Sequence, residues 1–270
     1  MLVHNEEYGW LEKSEVISMK KNNEQIEMTL DWLKRRGFDA RFAENRQVAR
    51  RIIVDMCPEN WIVGCGDSAT IRSIGVLQDL QDRGHRVLNP FFRPKIMREK
   101  PQPLPLRVLK QTAEGCDLFL ASSNAVTMDG KIVSIDGGGM RVAGTFFGPL
   151  RTILVVGRNK IVKDVDQALD RIKNVIAPAH SKYASPGWGI PCATAGKCVE
   201  PETFCPPGKR VCNIILILEG KPVLPETELV VILVDEDLGL GWDPSWPQER
   251  IDKIYEEYKK FTPPHRPIWD

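Results

Sequence analysis

Short apolar runs alternate with longer stretches of helical periodicity from Trp61 almost to Val234, and this alternation constrains the fold more than any other feature. Residues 61–63, 86–88, 116–121, 131–135, 151–156, 213–218 and 229–234 read as strands. Between them, residues from Ser68 to about Arg83, 106–115, 140–147 and 164–176 read as helices. Several of the strand runs are apolar at nearly every position, as strands buried on both faces are. Strands joined through helices imply a mostly parallel sheet with helices on both faces, an α/β fold. Before Trp61, residues 14–36 form a predicted helix with Val16, Ile17, Ile26, Leu30 and Leu33 at helical spacing and Gly37 as its stop. A short strand at 38–42 and a helix at 45–56, with Val48, Ile52 and Ile53 inward, follow. Residues 1–60 are thus expected to be an N-terminal helical segment packed on the same domain, and 61–270 the α/β body. A proline-rich stretch (Pro90, Pro94, Pro101, Pro103, Pro105) reads as a surface connection.

Composition removes several function classes. The chain has 270 residues, 42% of them hydrophobic, enough for a sizeable core and too many for a disordered chain. Its 37 Lys and Arg nearly cancel 36 Asp and Glu, giving +1, so neither a nucleic-acid field nor a polybasic membrane anchor is expected. The start, Met1-Leu2-Val3-His4-Asn5-Glu6-Glu7-Tyr8, does not read as a signal peptide, and the longest apolar stretches fall far short of a membrane span. The expected location is the cytoplasm. Seven cysteines, an odd number, argue for reduced thiols rather than a disulfide framework.

In open parallel sheets, ligands lie beyond the carboxyl ends of the strands. Three loops are expected there: 64–68, 122–130 and 136–141. In Gly64-Cys65-Gly66-Asp67-Ser68, the glycines and the predicted helix N-cap Ser68 read either as a cradle for a phosphate or carboxylate, or as a tight capped turn. Gly137, Gly138 and Gly139 exceed what a plain turn needs, and suggest close approach of backbone to a ligand or to another segment. Asn124, Arg141 and Lys160 are expected to supply polar contacts, and Asp129 or Asp136 a proton-transfer carboxylate, unless both aspartates only cap turns.

Four cysteines, Cys192, Cys198, Cys205 and Cys212, lie in a Pro- and Gly-rich loop at 187–212 that is unlikely to form a regular helix. Four thiolates can hold zinc or an iron–sulfur cluster, and metal binding is ranked ahead of free thiols or a redox disulfide. The spacing matches neither the paired knuckles of zinc ribbons nor the ferredoxin run.

The stretch from Ala121 to Ala143, containing Ser122-Ser123-Asn124-Ala125-Val126-Thr127-Met128-Asp129-Gly130 and Asp136-Gly137-Gly138-Gly139-Met140-Arg141, resembles the central signature of the LUD (lactate-utilisation) family. So do Phe147-Gly148-Pro149, the run from Val156 to Val162, Arg171-Ile172, Ala177-Pro178, the cysteine segment and Val234-Asp235-Glu236-Asp237-Leu238-Gly239. The resemblance runs from about Trp61 to Leu240. It implies the fold of ribose-5-phosphate isomerase, glucosamine-6-phosphate deaminase and CoA transferases (NagB/RpiA/CoA transferase-like), whose Gly- and Asp-rich loops surround an anionic substrate. It also implies a part in oxidation of lactate beside an iron–sulfur partner. Two positions depart from the family pattern: Met140 stands where the family has Asn, and four extra residues separate Cys198 from Cys205.

Three functions follow as expectations. The first is a lactate-utilisation-type subunit that binds a small anionic metabolite and supports redox chemistry with an iron–sulfur electron-transfer subunit. The second is a stand-alone isomerase- or transferase-like enzyme acting on a sugar phosphate or CoA ester. The third is a non-catalytic binding or assembly module. A homo-oligomer is compatible with each.

Overall fold

The computed structural model describes residues 2–5, 9–90, 106–223 and 227–264, with side chains from residue 23 onward except at 106–109. Most of the predicted proline-rich connection, residues 91–105, lies outside the described residues, as do the side chains of Val16 and Ile17.

The first elements are a two-stranded hairpin, β1 (Leu2–Asn5) and β2 (Gly9–Glu12), and the long helix α1 (Lys13–Arg35). Next come β3 (Asp39–Ala43), α2 (Arg46–Asp55), β4 (Val63–Cys65), α3 (Ala69–Ile74), α4 (Val76–Asp82) and β5 (Val87–Leu88). The middle of the chain contains α5 (Leu106–Glu114), β6 (Leu118–Ala121), β7 (Ala125–Thr127), β8 (Ile132–Asp136), α6 (Met140–Phe146), β9 (Arg151–Gly157) and β10 (Ile161–Val162). The last part is α7 (Val165–Arg171), α8 (Ala177–Ala184), α9 (Pro191–Ala195), β11 (Ile214–Leu218), β12 (Glu228–Val234) and α10 (Gln248–Lys260).

The main sheet has six strands in the order β3-β12-β9-β6-β4-β5, all parallel, so the expected parallel α/β sheet is present. Its central strands point alternate side chains to opposite faces, as the two-residue period requires. Leu118, Leu120, Ile153, Val155, Val230 and Ile232 meet Ile53, Ile71 and Leu80 from α2, α3 and α4 on one face. Phe119, Leu154, Val156, Val231 and Leu233 face the other way, toward Leu33 of α1 and Val126 and Ile132 of a second sheet. Because both faces are covered, the middles of these strands are apolar at successive positions, as in residues 153–156 and 229–234.

That second sheet is a feature the alternation of strands and helices did not reveal. Its order is β10-β7-β8-β11, with β7–β8 and β8–β11 antiparallel and only β10–β7 parallel. The loop expected at 122–130 therefore contains a three-residue strand, too short for periodicity to disclose. The outer face of this sheet, Ala125, Val133 and Ile135, packs against Ala168, Ile172, Ile176 and Tyr258, so α7, α8 and α10 cover it.

Three helix boundaries differ from expectation. The single helix from Ser68 to about Arg83 is broken at Gly75, whose φ of 76° closes α3 and opens α4. The helix expected to stop at Ile176 passes through a π turn at Ile172–Ile176 and continues as α8. Pro178 has no N–H to close the preceding turn, and the wider turn absorbs that loss while Ile172, Ile176 and Ala177 stay buried. Finally, α10 had no counterpart among the expected elements.

Candidate functional site

The carboxyl ends of β4, β6, β9 and β12 lie along one edge of the main sheet, and the residues that follow them build a polar cluster. After β4, Gly66 and Asp67 lead into α3, whose N-cap Ser68 accepts a hydrogen bond from the Ile71 amide at 3.2 Å. After β6 come Ser122, Ser123 and Asn124. After β9 a single 3-10 turn, Arg158–Lys160, brings Lys160 inward.

Lys160 is only 4% exposed, and its ammonium donates to the hydroxyls of Ser122 (2.7 Å) and Thr70 (3.1 Å). Ser122 in turn donates to the Val155 carbonyl at 2.6 Å, so its orientation is fixed. The turn that carries Lys160 is held from several sides. Asn159, fully buried, donates to the Gly241 carbonyl (2.9 Å) and accepts from the Leu238 amide (2.9 Å). Arg171 of α7 donates to the Asn159 carbonyl at 3.0 Å. Gly239 closes over the ammonium: a Cβ there would stand 3.1 Å from Lys160 Nζ and collide with the Thr70 hydroxyl, so no larger residue fits.

Arg141, in the first turn of α6, reaches the same edge. Its Cγ would touch a Cβ at Gly66 (3.4 Å), and its guanidinium donates to Asn124 Oδ1 (3.1 Å) and to the Ile135 carbonyl. Its Nε is buried and has no hydrogen-bond partner among the described residues, and neither has the Ser123 hydroxyl. Burial first, and the nearby charge of Arg141 second, together push the Lys160 ammonium down to about 7. Among the described residues no carboxylate pairs with either cation. The cluster is therefore electropositive and supplied with donors.

The structure places the other expected site residues less uniformly. Gly66, Asn124 and Arg141 come together, the charge of Arg141 reaches Lys160, and Ser68 serves as the cap of α3. Gly64 does not join the cluster: it is a strand residue, and a Cβ there would meet Cys116 Sγ at 2.7 Å and overlap the Thr112 carbonyl, so it is glycine because α5 packs against it. Asp136 accepts from the amides of Gly138 (2.9 Å), Gly139 (2.9 Å) and Val142 (3.2 Å). The glycine amides expected to cradle a ligand are thus turned onto the chain's own carboxylate, which caps the start of α6. Gly137 serves a second segment, since a Cβ there would stand 3.4 Å from Val211 Cα. Asp129 is at the far end of β7 from Asn124, where it pairs with Arg36 (3.0 Å) and Lys131 (3.5 Å) and is 42% exposed. The hydroxyl of Thr127 and the charges of Lys131 and Arg36 hold its carboxyl below the usual range although partial desolvation opposes them. Both carboxylates are thus engaged by other groups of the chain.

Thr70 and Ser122 were not singled out as Lys160's partners. They are 90 and 38 residues from it, and no local spacing signals such an encounter. The four cysteines of the 187–212 loop, in contrast, do line one pocket.

These features define a class: an α/β protein with a parallel sheet covered on both faces and two unpaired cations at its carboxyl edge. The family is defined as well. The model of the LUD domain family, which is related to lactate utilisation, matches residues 26–234, and the chain belongs to that family. The expected resemblance is thereby confirmed, and it extends into the segment before Trp61. Among solved structures, a DUF162 family protein from Deinococcus radiodurans is similar over 79% of this chain and 98% of its own, with 16% identity and a TM-score of 0.44. No match was found among curated proteins. No helix among the described residues is long and apolar enough to cross a membrane.

Proposed function

We propose that the chain binds a small anionic metabolite, a carboxylate or a phosphate, between Lys160 and Arg141, within a lactate-utilisation-type assembly whose redox steps are carried by an iron–sulfur partner. One observation carries the binding part: a buried ammonium lies within electrostatic reach of a guanidinium, and among the described residues no carboxylate pairs with either. Two like charges held together out of water repel and are poorly solvated, and an anion relieves both costs at once. Ser122, Thr70 and Asn124 then serve to orient it. The lactate connection is drawn from the family alone.

A proton-transfer role for Lys160 is the second reading, and its depressed pKa favours it. An amine that titrates near neutrality is suited to take or give a proton beside a bound carboxylate or sugar phosphate. In an isomerase- or transferase-like enzyme it would replace the carboxylates expected for that task.

The test is a ligand titration by calorimetry with lactate, pyruvate, inorganic phosphate and ribose 5-phosphate. At least one should bind the native chain and lose most of its affinity in Lys160→Met. If every anion binds Lys160→Met as well as it binds the native chain, the site is elsewhere. Turnover of a sugar phosphate by the isolated chain would select the enzymatic reading.

A further inference from the structure

We propose that the loop between α8 and β11 is itself a site for an iron–sulfur cluster, held by Cys192, Cys198, Cys205 and Cys212, so that this chain carries a redox centre of its own. The inference is independent of the anion site.

The four thiols reach one place from separate local pieces of chain. Cys192 is in the first turn of α9, and Cys198 follows the Gly196 that ends it. Cys205 precedes a 3-10 turn at Pro207–Lys209, and Cys212 stands two residues before β11. All four line a single pocket together with Lys173 and Arg210. None is in a disulfide. A Pro- and Gly-rich segment gathers four thiols only if its backbone is held, and here it is. Arg210 forms two bonds of 3.1 Å to the carboxylate of Glu200 and one of 3.2 Å to the Cys205 carbonyl. The Cys198 amide donates to Asn174 Oδ1 at 3.1 Å.

Charge fits as well as position. Four thiolates around a cluster leave a net negative group; Lys173 and Arg210 supply positive charge at the pocket wall, where the Glu200 carboxylate paired with Arg210 offsets part of it. Arg210 Nη2 lies 3.7 Å from Cys212 Sγ, and its Nε is buried without a hydrogen-bond partner among the described residues. Hydrogen bonds and nearby charge are the levers by which a protein tunes such a centre.

An all-thiolate donor set selects zinc or iron–sulfur. A single zinc ion draws its sulfurs to about 2.3 Å, commonly through paired cysteines two to four residues apart. Here five, six and six residues separate successive cysteines, so no such pair exists. Thiols spread around a shared space suit a cluster, whose irons each take a separate thiolate.

The loop also touches the anion site's framework. Asn213 donates to the Gly137 carbonyl at 3.0 Å, and Val211 packs on Gly137, in the turn that Asp136 caps ahead of Arg141.

The experiment is anaerobic reconstitution of the full chain with ferrous iron and sulfide, followed by desalting, iron and sulfide analysis and visible spectroscopy. The expected result is a brown protein with equal iron and sulfide, about two or four of each per chain. The double variant Cys198→Ala/Cys205→Ala should keep its circular dichroism and lose the colour, while Cys57→Ala should retain it. Iron without sulfide, one zinc per chain in preference to iron, no bound metal, or a double variant as brown as the native chain would each overturn the proposal. If the double variant does not fold, EPR of the dithionite-reduced native chain decides: a signal from a cluster supports the proposal, and silence in both redox states refutes it.

Discussion

Replacing Lys160 with methionine separates the cost of a buried charge from the work it does. The side chain is 4% exposed, and its pKa falls from 10.5 to about 7. At about 1.4 kcal/mol for each tenfold change in proton affinity, holding the ammonium in place below neutral pH costs the fold on the order of 5 kcal/mol. Methionine has similar length and no charge to desolvate. It forfeits the hydrogen bonds to Ser122 and Thr70, together worth about 2 kcal/mol. Near pH 6, Lys160→Met should therefore be more stable than the native chain by about 3 kcal/mol. The sign of the pH dependence follows from the depressed pKa. Between about 7 and 10.5 the unfolded chain holds a proton on this lysine that the folded chain has released, so native stability rises with pH across that window. By about pH 9 the advantage of the variant should have shrunk to near zero. Urea denaturation at several pH values measures this directly. A variant less stable than the native chain by the same margin at about pH 6 and pH 9 would refute the reasoning, because Lys160 would then be an ordinary structural donor. Added anion provides the counterpart: it should raise the native melting temperature most at low pH, where the lysine is protonated, and leave Lys160→Met unchanged.

The two aspartates should separate in the same assay. Asp136→Ala removes the acceptor for three amides and should cost about 2 kcal/mol, whereas Asp129→Asn, at an exposed ion pair, should cost less than about 1 kcal/mol and leave anion binding intact. Loss of anion binding in Asp129→Asn would move the site to the other end of β7. Gly64→Ala should destabilise by about 2–3 kcal/mol through overpacking against Cys116 and the Thr112 carbonyl, seen as a lower thermal midpoint, with anion affinity kept wherever the chain remains folded.

Much of the main sheet was legible because its chemistry is one-dimensional. In β6, β9 and β12 all residues after the first of β9 and β12 are buried on one face or the other, so residues 118–121, 153–156 and 229–234 are continuous apolar runs whose length marks a strand. The short strand β7 was not legible, since Ala125-Val126-Thr127 between polar residues has the composition of a loop and becomes a strand only by pairing with β8 and β10. In α10, Ile254 and Tyr258 have helical spacing, yet only their burial against the second sheet distinguishes that segment from a solvated tail.

The sequence by itself determined an α/β chain of the LUD family, with a glycine-rich loop region and four cysteines poised in one irregular segment, because strand length, apolar runs and motif order are local properties. The tertiary structure decided what each polar residue is for. Asp136 turns the glycine amides onto itself, Asp129 is drawn away to Arg36, and Lys160 meets Ser122 and Thr70 within reach of Arg141's charge, with no carboxylate pairing it among the described residues. Whether a charged side chain caps a turn, pairs at the surface or waits for a ligand depends on which distant groups share its low-dielectric surroundings, and chain order does not encode that distance.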